Sequence, residues 1–375
     1  MSNKMLIATS DTMLAQYTHN DNLSIAELLQ DDRSRLESTL KKQLALPVNQ
    51  ADTQLIQQLV AALLKNFTDN EAGLSTNTIS SLHSSWGVFN QWCITNGVNA
   101  LPASAQDVSN FMQQVKSKVK LNTLSSYRWA INAFHIAAGL PSPTQPESIK
   151  TVFKGIRKEK ARQSELVEQA SAFRQQHLDA LINLWRGHQN IVYRRNLAVM
   201  IIAYESMLRE TELANIRFEH LTLLDDGRAE LLVPVTKTNH SGEPDVVLLS
   251  RQCVAILHDY LNELARQKDY IFKPIKRNHS ILYQSKPLTR LTIDRIFKQS
   301  YEAISHSQPM LCQHQKTWSG HSARVGACQD LLSSGFSILE VQQAGRWTSP
   351  MMVYRYGRNI LAKESAMAKA RWDRT

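Results

Sequence analysis

Between residues 75 and 141, apolar side chains recur every three to four positions in TNTISSLHSSWGVFNQWCITNG, SAQDVSNFMQQVKSKVK and NTLSSYRWAINAFHIAAGLP. That period predicts three or more amphipathic helices, with Asn and Ser at their starts and Gly-Leu-Pro ending the last. The same spacing returns in HLDALINLWRG and RRNLAVMIIAYESML, and two earlier patches, SIAELLQ and DTQLIQQLVAALLKNF, also fit it. One stretch breaks the pattern. ELLVPVTK and DVVLLS are β-prone runs separated by Asn-His-Ser-Gly-Glu-Pro, which predicts a small hairpin within a helical region. Helical spacing then resumes to the C-terminus. The fold class expected is mainly α: a helical N-terminal domain and a mostly helical second domain holding a small β-sheet or hairpin.

Two features place the joins. PSPTQP, Pro141 to Pro146, reads as a turn, and IKTVFKGIRKEKARQSE after it sets Lys150, Lys154, Arg157, Lys158, Lys160 and Arg162 against Glu159. The expectation is a basic linker that could strap a polyanion, although a charge run is more often a solvated helix face. Residues 1–70 read as an N-terminal extension, partly mobile with some helix, 71–163 as a helical domain ending in the linker, and 164–375 as the second domain. A chain of 375 residues accommodates this at roughly 100–200 residues per domain.

Composition narrows the partner. The 43 Lys and Arg against 33 Asp and Glu leave a net charge of +10, which suits a polyanion without choosing nucleic acid over anionic lipid or an acidic protein. Only 13 Gly and 11 Pro occur, a low share that favours helices over turn-rich β architecture. No run of about 18 apolar residues occurs, so no membrane span is expected. The N-terminus lacks a signal-peptide pattern, so the protein is expected inside the cell. Cys93, Cys253, Cys312 and Cys328 are scattered singly, as reduced buried thiols would be. His306, Cys312, His314 and His321 match no zinc spacing.

Candidate chemistry gathers in four short segments. LRETELANIR holds Arg209 and Glu212, three apart on one expected helix face, and VTKTNHSG puts Lys237 at the hairpin tip. SGHSARVGA holds His321 and Arg324 at a helix start, and QAGRWTSPMMVYRYGRN holds Trp347, Tyr354 and Tyr356. Each has an ordinary structural explanation when taken alone. Together, in this order and wording, they resemble the tyrosine recombinase (phage integrase) family, in particular its Cre-like branch, over about residues 75–367.

The resemblance implies the DNA breaking-rejoining fold, with a helical core DNA-binding domain before a catalytic domain. It sets Arg209, Lys237, His321, Arg324, Trp347 and Tyr356 on catalytic positions and Glu212 on a supporting one. Tyr354 competes as nucleophile, but two residues turn a helix by about 200°, so both tyrosines cannot face one phosphate. The implied reaction moves a DNA phosphodiester onto the tyrosine, leaving a 3′-phosphotyrosyl link and a free 5′-hydroxyl, and needs no ATP. Arg209 and Arg324 suit the charge on the transferring phosphate, and Lys237 suits a general acid. The positive field is expected to lower the pKa of Tyr356. Two-metal carboxylate clusters and a GxxxxGK[ST] loop are missing, so neither metal nor cofactor is expected.

For DNA contacts the resemblance directs attention to helices following Asn77 and Asn122 and to the one near TRLTIDRIFKQSY. The candidates are Asn77, Ser80, Ser84, Asn122, Ser126, Arg128, Lys154, Arg157, Lys158, Arg290, Thr292 and Arg295. The implied partners are double-stranded DNA with an inverted-repeat site, and further copies of the chain, as a homotetramer in the synapse and a monomer or dimer otherwise. NILAKESAMAKARW reads as a short helix that would dock on a neighbouring subunit or on its own domain. The implied setting is cytoplasmic and nucleoid-associated, bacterial, plasmid- or phage-encoded. Two rival readings keep the same scaffold: a type IB topoisomerase or telomere resolvase, and a catalytically silent DNA-binding regulator.

Overall fold

The computed structural model describes residues 32–47, 50–69, 75–163, 169–234, 243–265, 267–283 and 286–363, and beyond these 365, 367 and 370. The chain forms two compact units, Met1–Val167 and Glu168–Thr375. Among the described residues no helix is long and apolar enough to cross a membrane.

The first unit holds α1 (Arg33–Leu44), α2 (Thr53–Asp69), α3 (Thr76–Asn96), α4 (Ala105–Val115), α5 (Leu121–Ala137) and α6 (Glu147–Arg162). α3 lies along α5, α1 along α2, and α4 along α6. Leu82, Trp86, Phe89 and Cys93 recur at helical spacing on the buried face of α3, and Trp86 stacks on Phe134 of α5 with ring centroids 4.4 Å apart. Ser75 and Ser104 cap α3 and α4 by accepting the N–H groups of Thr78 and Asp107. Asn77 and Asn122 fall inside the first turns of α3 and α5 rather than at their caps. Leu36 and Leu40 of α1 and Leu59 and Leu63 of α2 join the same core, so these two helices pack with the first unit rather than standing apart from it. The first twenty or so residues, expected to be mobile, and the helical patch SIAELLQ lie outside the described residues.

The stretch expected as a linker is different in kind. Lys150 to Arg162 is part of α6, whose Ile149, Phe153 and Ile156 are buried in the first unit's core. Each such side chain gains roughly 1.5–3 kcal/mol on burial, which favours a packed helix over a strap. Lys160 is buried with them and donates to the Val119 carbonyl at 2.8 Å, while Lys116 pairs with Glu159 at 2.6 Å. Only the outer face, with Lys154, Arg157 and Lys158, is exposed.

The second unit runs α7 (Gln175–Trp185), α8 (Ile191–Ser206), α9 (Glu210–Ala214), β1 (Leu221–Leu223), β2 (Ala229–Val233), β3 (Asp245–Leu249), α10 (Arg251–Leu261), α11 (Arg290–Ser307), α12 (Ser322–Ser333), α13 (Ile338–Ala344) and α14 (Met351–Lys363). The hairpin is β2–β3, and a third strand extends it to an antiparallel sheet in the order β1-β2-β3, with Leu221 opposite Leu231 and Ala229 opposite Leu249. Ala229, Leu231 and Val233 alternate inward. α8 is buried without a break from Arg195 to Ala203, and α10, α7 and α12 pack around it. The start of α12 is equally enclosed. A Cβ on its Gly326 would lie 1.7 Å from the Phe173 carbonyl oxygen, so only glycine allows that approach.

Candidate active site

The site is assembled from the end of α8, the start of α9, the start of α12, the turn after α13 and the middle of α14. α8 ends at Met207, whose left-handed φ of 49° turns the chain sharply toward Arg209. Arg209 immediately precedes α9 instead of lying on it. Its main-chain N–H donates to Glu212 Oε2 at 2.8 Å and its Nη1 to Oε1 at 2.7 Å. Glu212 thereby closes the helix start and holds the guanidinium at once. Burial by itself would raise the Glu212 pKa, but the bonds from Arg209 and the charges of Arg209 and Arg346 outweigh it and hold it low.

Arg346 was not singled out from the sequence. Its Nη2 lies 3.4 Å from Glu212 Oε2, its Nη1 donates to the Ser206 carbonyl at 2.9 Å, and its Nε is 3.7 Å from Asp245 Oδ2 at the start of β3. Glu212 therefore lies between two guanidiniums. Beside it, Glu210 pairs with Arg290 at 2.5 Å, and burial together with the Asp294 charge raises its pKa.

Arg324 of α12 is 1% exposed. Its guanidinium donates to the Met207 carbonyl and, at 3.0 Å, to the Gly345 carbonyl, and lies 5.3 Å from the Trp347 ring centre. Burial and then the charge of Arg209 lower its pKa to about 10. Gly345 must be glycine, since a Cβ there would lie 2.6 Å from the Trp347 ring. His321 caps α12, and its Nε2 lies 2.5 Å from the Tyr356 hydroxyl. Although the residue keeps some exposure, desolvation first, and then the charges of Arg324, Arg209, Arg355 and Arg290, lower its pKa to about 4. The imidazole is neutral at pH 7.

Tyr356 is 4% exposed, with its ring edge-on to Trp347 at 5.5 Å. Tyr354, two residues earlier, is 49% exposed on the outer face of α14. The pKa of Tyr356 moves opposite to expectation. Burial raises it, and Arg324, Arg355 and Arg209 offset only part of that rise. Arg209, Glu212, His321, Arg324, Trp347 and Tyr356 are thus brought together in the second unit, whereas Lys237 lies outside the described residues. Among the described residues, no three His, Cys, Asp or Glu side chains gather as metal ligands would.

Of the DNA-contact candidates, Asn77, Ser80 and Ser84 are exposed on α3, as is Asn122 on α5. Ser126 donates back to the Asn122 carbonyl at 3.2 Å. Arg128 and Arg157 lie 5.2 and 5.8 Å from the Phe153 ring centre. On α11, Arg295 is exposed, Arg290 is exposed but paired to Glu210, and the Thr292 hydroxyl is 2.9 Å from that of the capping Thr289. Ser126, Arg128 and Thr292 are half-buried, and several of the candidates already have a partner within the fold.

Comparison with known proteins gives a consistent result. The model of the phage integrase family matches residues 171–361, which takes in every described catalytic candidate. The chain is 29% identical to the recombinase Cre of Escherichia phage P1 over 330 residues, 87% of this chain and 95% of that one. Among solved structures it resembles the Tn1549 transposon integrase in complex with transposon right-end DNA, with a TM-score of 0.56 at 13% identity over 79% of this chain and 94% of that one. It also resembles the XerH recombinase bound to a palindromic difH substrate, at 0.54 and 12% over 98% and 96%. These structural likenesses concern the fold.

Proposed function

This chain belongs to the phage integrase family and is a site-specific DNA recombinase, and we propose that it cuts and rejoins strands through a 3′-phosphotyrosyl link at Tyr356. The observation that carries the reading is the 2.5 Å contact of Tyr356 with a neutral His321, next to Arg324 and Trp347. His321 Nε2 takes the phenol proton as Tyr356 Oη bonds to phosphorus and the bond to the 5′-oxygen breaks. Lys237 gives that oxygen its proton. Arg209 and Arg324 stabilise the non-bridging oxygens, with Trp347 as a further donor, and Glu212 holds Arg209 in place.

Burial keeps Tyr356 protonated until DNA arrives, so its activation comes from proton transfer to His321 and not from a standing phenolate. The link stores the ester bond, and the 5′-hydroxyl of a partner strand attacks it to restore DNA without ATP. In the full reaction we assign residues 71–163 to core DNA binding and 164–375 to catalysis. A homotetramer then joins two inverted-repeat sites through a Holliday junction in a bacterial cytoplasm, at the nucleoid, from a phage or plasmid gene.

The test uses a nicked duplex carrying the site this protein selects from a random DNA pool. A covalent adduct is expected with the parent and with Tyr354→Phe, and none with Tyr356→Phe. The reverse pattern, or no adduct from the parent, overturns the reading. Equal relaxation of any supercoiled plasmid, whatever its sequence, would instead indicate a topoisomerase.

A further inference from the structure

We infer that Gln169 and Gln329 are positioning residues for the nucleophile, acting together on the main-chain carbonyl of Tyr356. The inference rests on Tyr356 being that nucleophile. Gln329, on α12, donates its Nε2 amide to the carbonyl at 3.1 Å, and Gln169 donates to the same oxygen, also at 3.1 Å. Tyr356 lies in the middle of α14, where a helical carbonyl already faces the N–H four residues on. The two amides therefore satisfy no orphaned group. What they add is direction.

Packing sets how near α14 comes to α12. Val353, Tyr356 and Gly357 are buried, and a Cβ on Gly357 would lie 2.1 Å from Leu332 Cδ1, so the helices meet at that glycine. Apolar contacts of this kind are non-directional and tolerate sliding along the axis. A slip of one residue advances a helix by about 1.5 Å and turns it by about 100°, which would carry the Tyr356 hydroxyl away from His321. Hydrogen bonds to a single oxygen resist this, because their useful range is only about 2.7–3.2 Å. α12 also carries Arg324, and His321 caps it, so Gln329 ties the nucleophile's helix to the helix that supplies its partners. Gln169 adds a second anchor from just past the junction of the two compact units at residues 167 and 168.

Gln329→Met and Gln169→Met keep side-chain length and remove the donors. On the nicked duplex carrying the pool-selected site, single-turnover cleavage should fall about 10-fold in each variant, since small misplacements of reacting groups have effects of this order. DNA affinity should stay within about twofold of the parent, because neither amide is among the predicted DNA contacts. Hydrogen exchange should quicken in 351–363 and stay unchanged elsewhere in the free protein. Parental cleavage rates in both variants overturn the inference. So does a loss of cleavage accompanied by faster exchange throughout the second unit and a lowered Tm, which marks general destabilisation. Tyr356→Phe is run alongside. If it still forms an adduct, the nucleophile assignment and the inference both fall, whereas an inert Tyr356→Phe beside fully active glutamine variants removes only the positioning role.

Discussion

Among the described residues of the second unit two arginines lie buried, and they are buried for different ends. Arg195, 6% exposed on α8, is enclosed by groups that suit it: Nε and Nη2 donate to Asn196 Oδ1 at 3.2 and 2.8 Å, and Nη1 donates to the Lys273 carbonyl at 3.4 Å. Burial lowers its pKa to about 10, and Tyr260 works the other way. Arg324, at 1% exposure, reaches the same value of about 10, but after burial the next cause is repulsion from Arg209, joined by Arg346. One region solvates its buried charge with neutral acceptors of its own. The other gathers Arg324, Arg209 and Arg346 close together, with Glu212 facing the last two, and such a concentration of positive charge suits an incoming phosphate.

Substituting each arginine should separate the two. Arg324→Ala is expected to lower single-turnover cleavage of the nicked duplex by about 10²–10³-fold, the range for losing one preorganised donor to a charged transition state. Lysine at 324 should recover little, since it cannot reproduce the planar paired donors. Arg195→Met leaves Asn196 and the Lys273 carbonyl short of a donor, so it should cost about 1–3 kcal/mol in denaturant melts while the folded fraction cleaves at the parental rate. A cleavage defect in folded Arg195→Met equal to that of Arg324→Ala would erase the distinction.

Glu212→Gln sharpens it on the acidic side. The substitution keeps the shape of the side chain and loses the charge that faces Arg209 and Arg346. Stability should drop by about 1.5–3 kcal/mol, the range for hydrogen bonds to charged groups, and adduct formation should slow because Arg209 is no longer held.

The smallest effect expected is a pH dependence of stability. His321 has a pKa of about 4 in the fold against an ordinary 6.5, so between these values the unfolded chain binds the proton and the native site does not. Its contribution is complete above pH 6.5 and is lost as the pH falls toward 4. The lowered carboxyl of Glu212 acts in the same direction further down, present above the ordinary carboxylate range and lost as pH falls through its folded value. His321→Asn should therefore flatten the Tm profile between pH 6.5 and 4, and an unchanged profile would contradict a desolvated neutral imidazole.

What the sequence disclosed follows from how local each signal is. The long amphipathic helices were readable because burial imposes its period on residues such as Leu82, Trp86, Phe89 and Cys93. The site residues were readable because they stand in short, distinctive segments, and His321, Arg324 and Tyr356 do converge. β1 was missed because three residues are too few to show alternation. The sequence reads α6 as a basic linker because its charges outnumber its apolar residues, although Ile149, Phe153 and Ile156 already have helical spacing. Arg346 went unnoticed beside Trp347, since its value depends on Glu212, more than a hundred residues away in sequence. The direction of the Tyr356 shift could not be read either. Charge is visible in a sequence, but the burial that opposes it is not.

The most direct measurement is to locate the attachment itself. The parent protein is trapped on the nicked duplex, the adduct digested with protease, and the DNA-bearing peptide sequenced by mass spectrometry. The expected result is a phosphate on Tyr356, within residues 351–363, joined to the 3′ end of the cut strand with a free 5′-hydroxyl opposite. Attachment at Tyr354 or any other residue, or linkage through a 5′-phosphate, would contradict it.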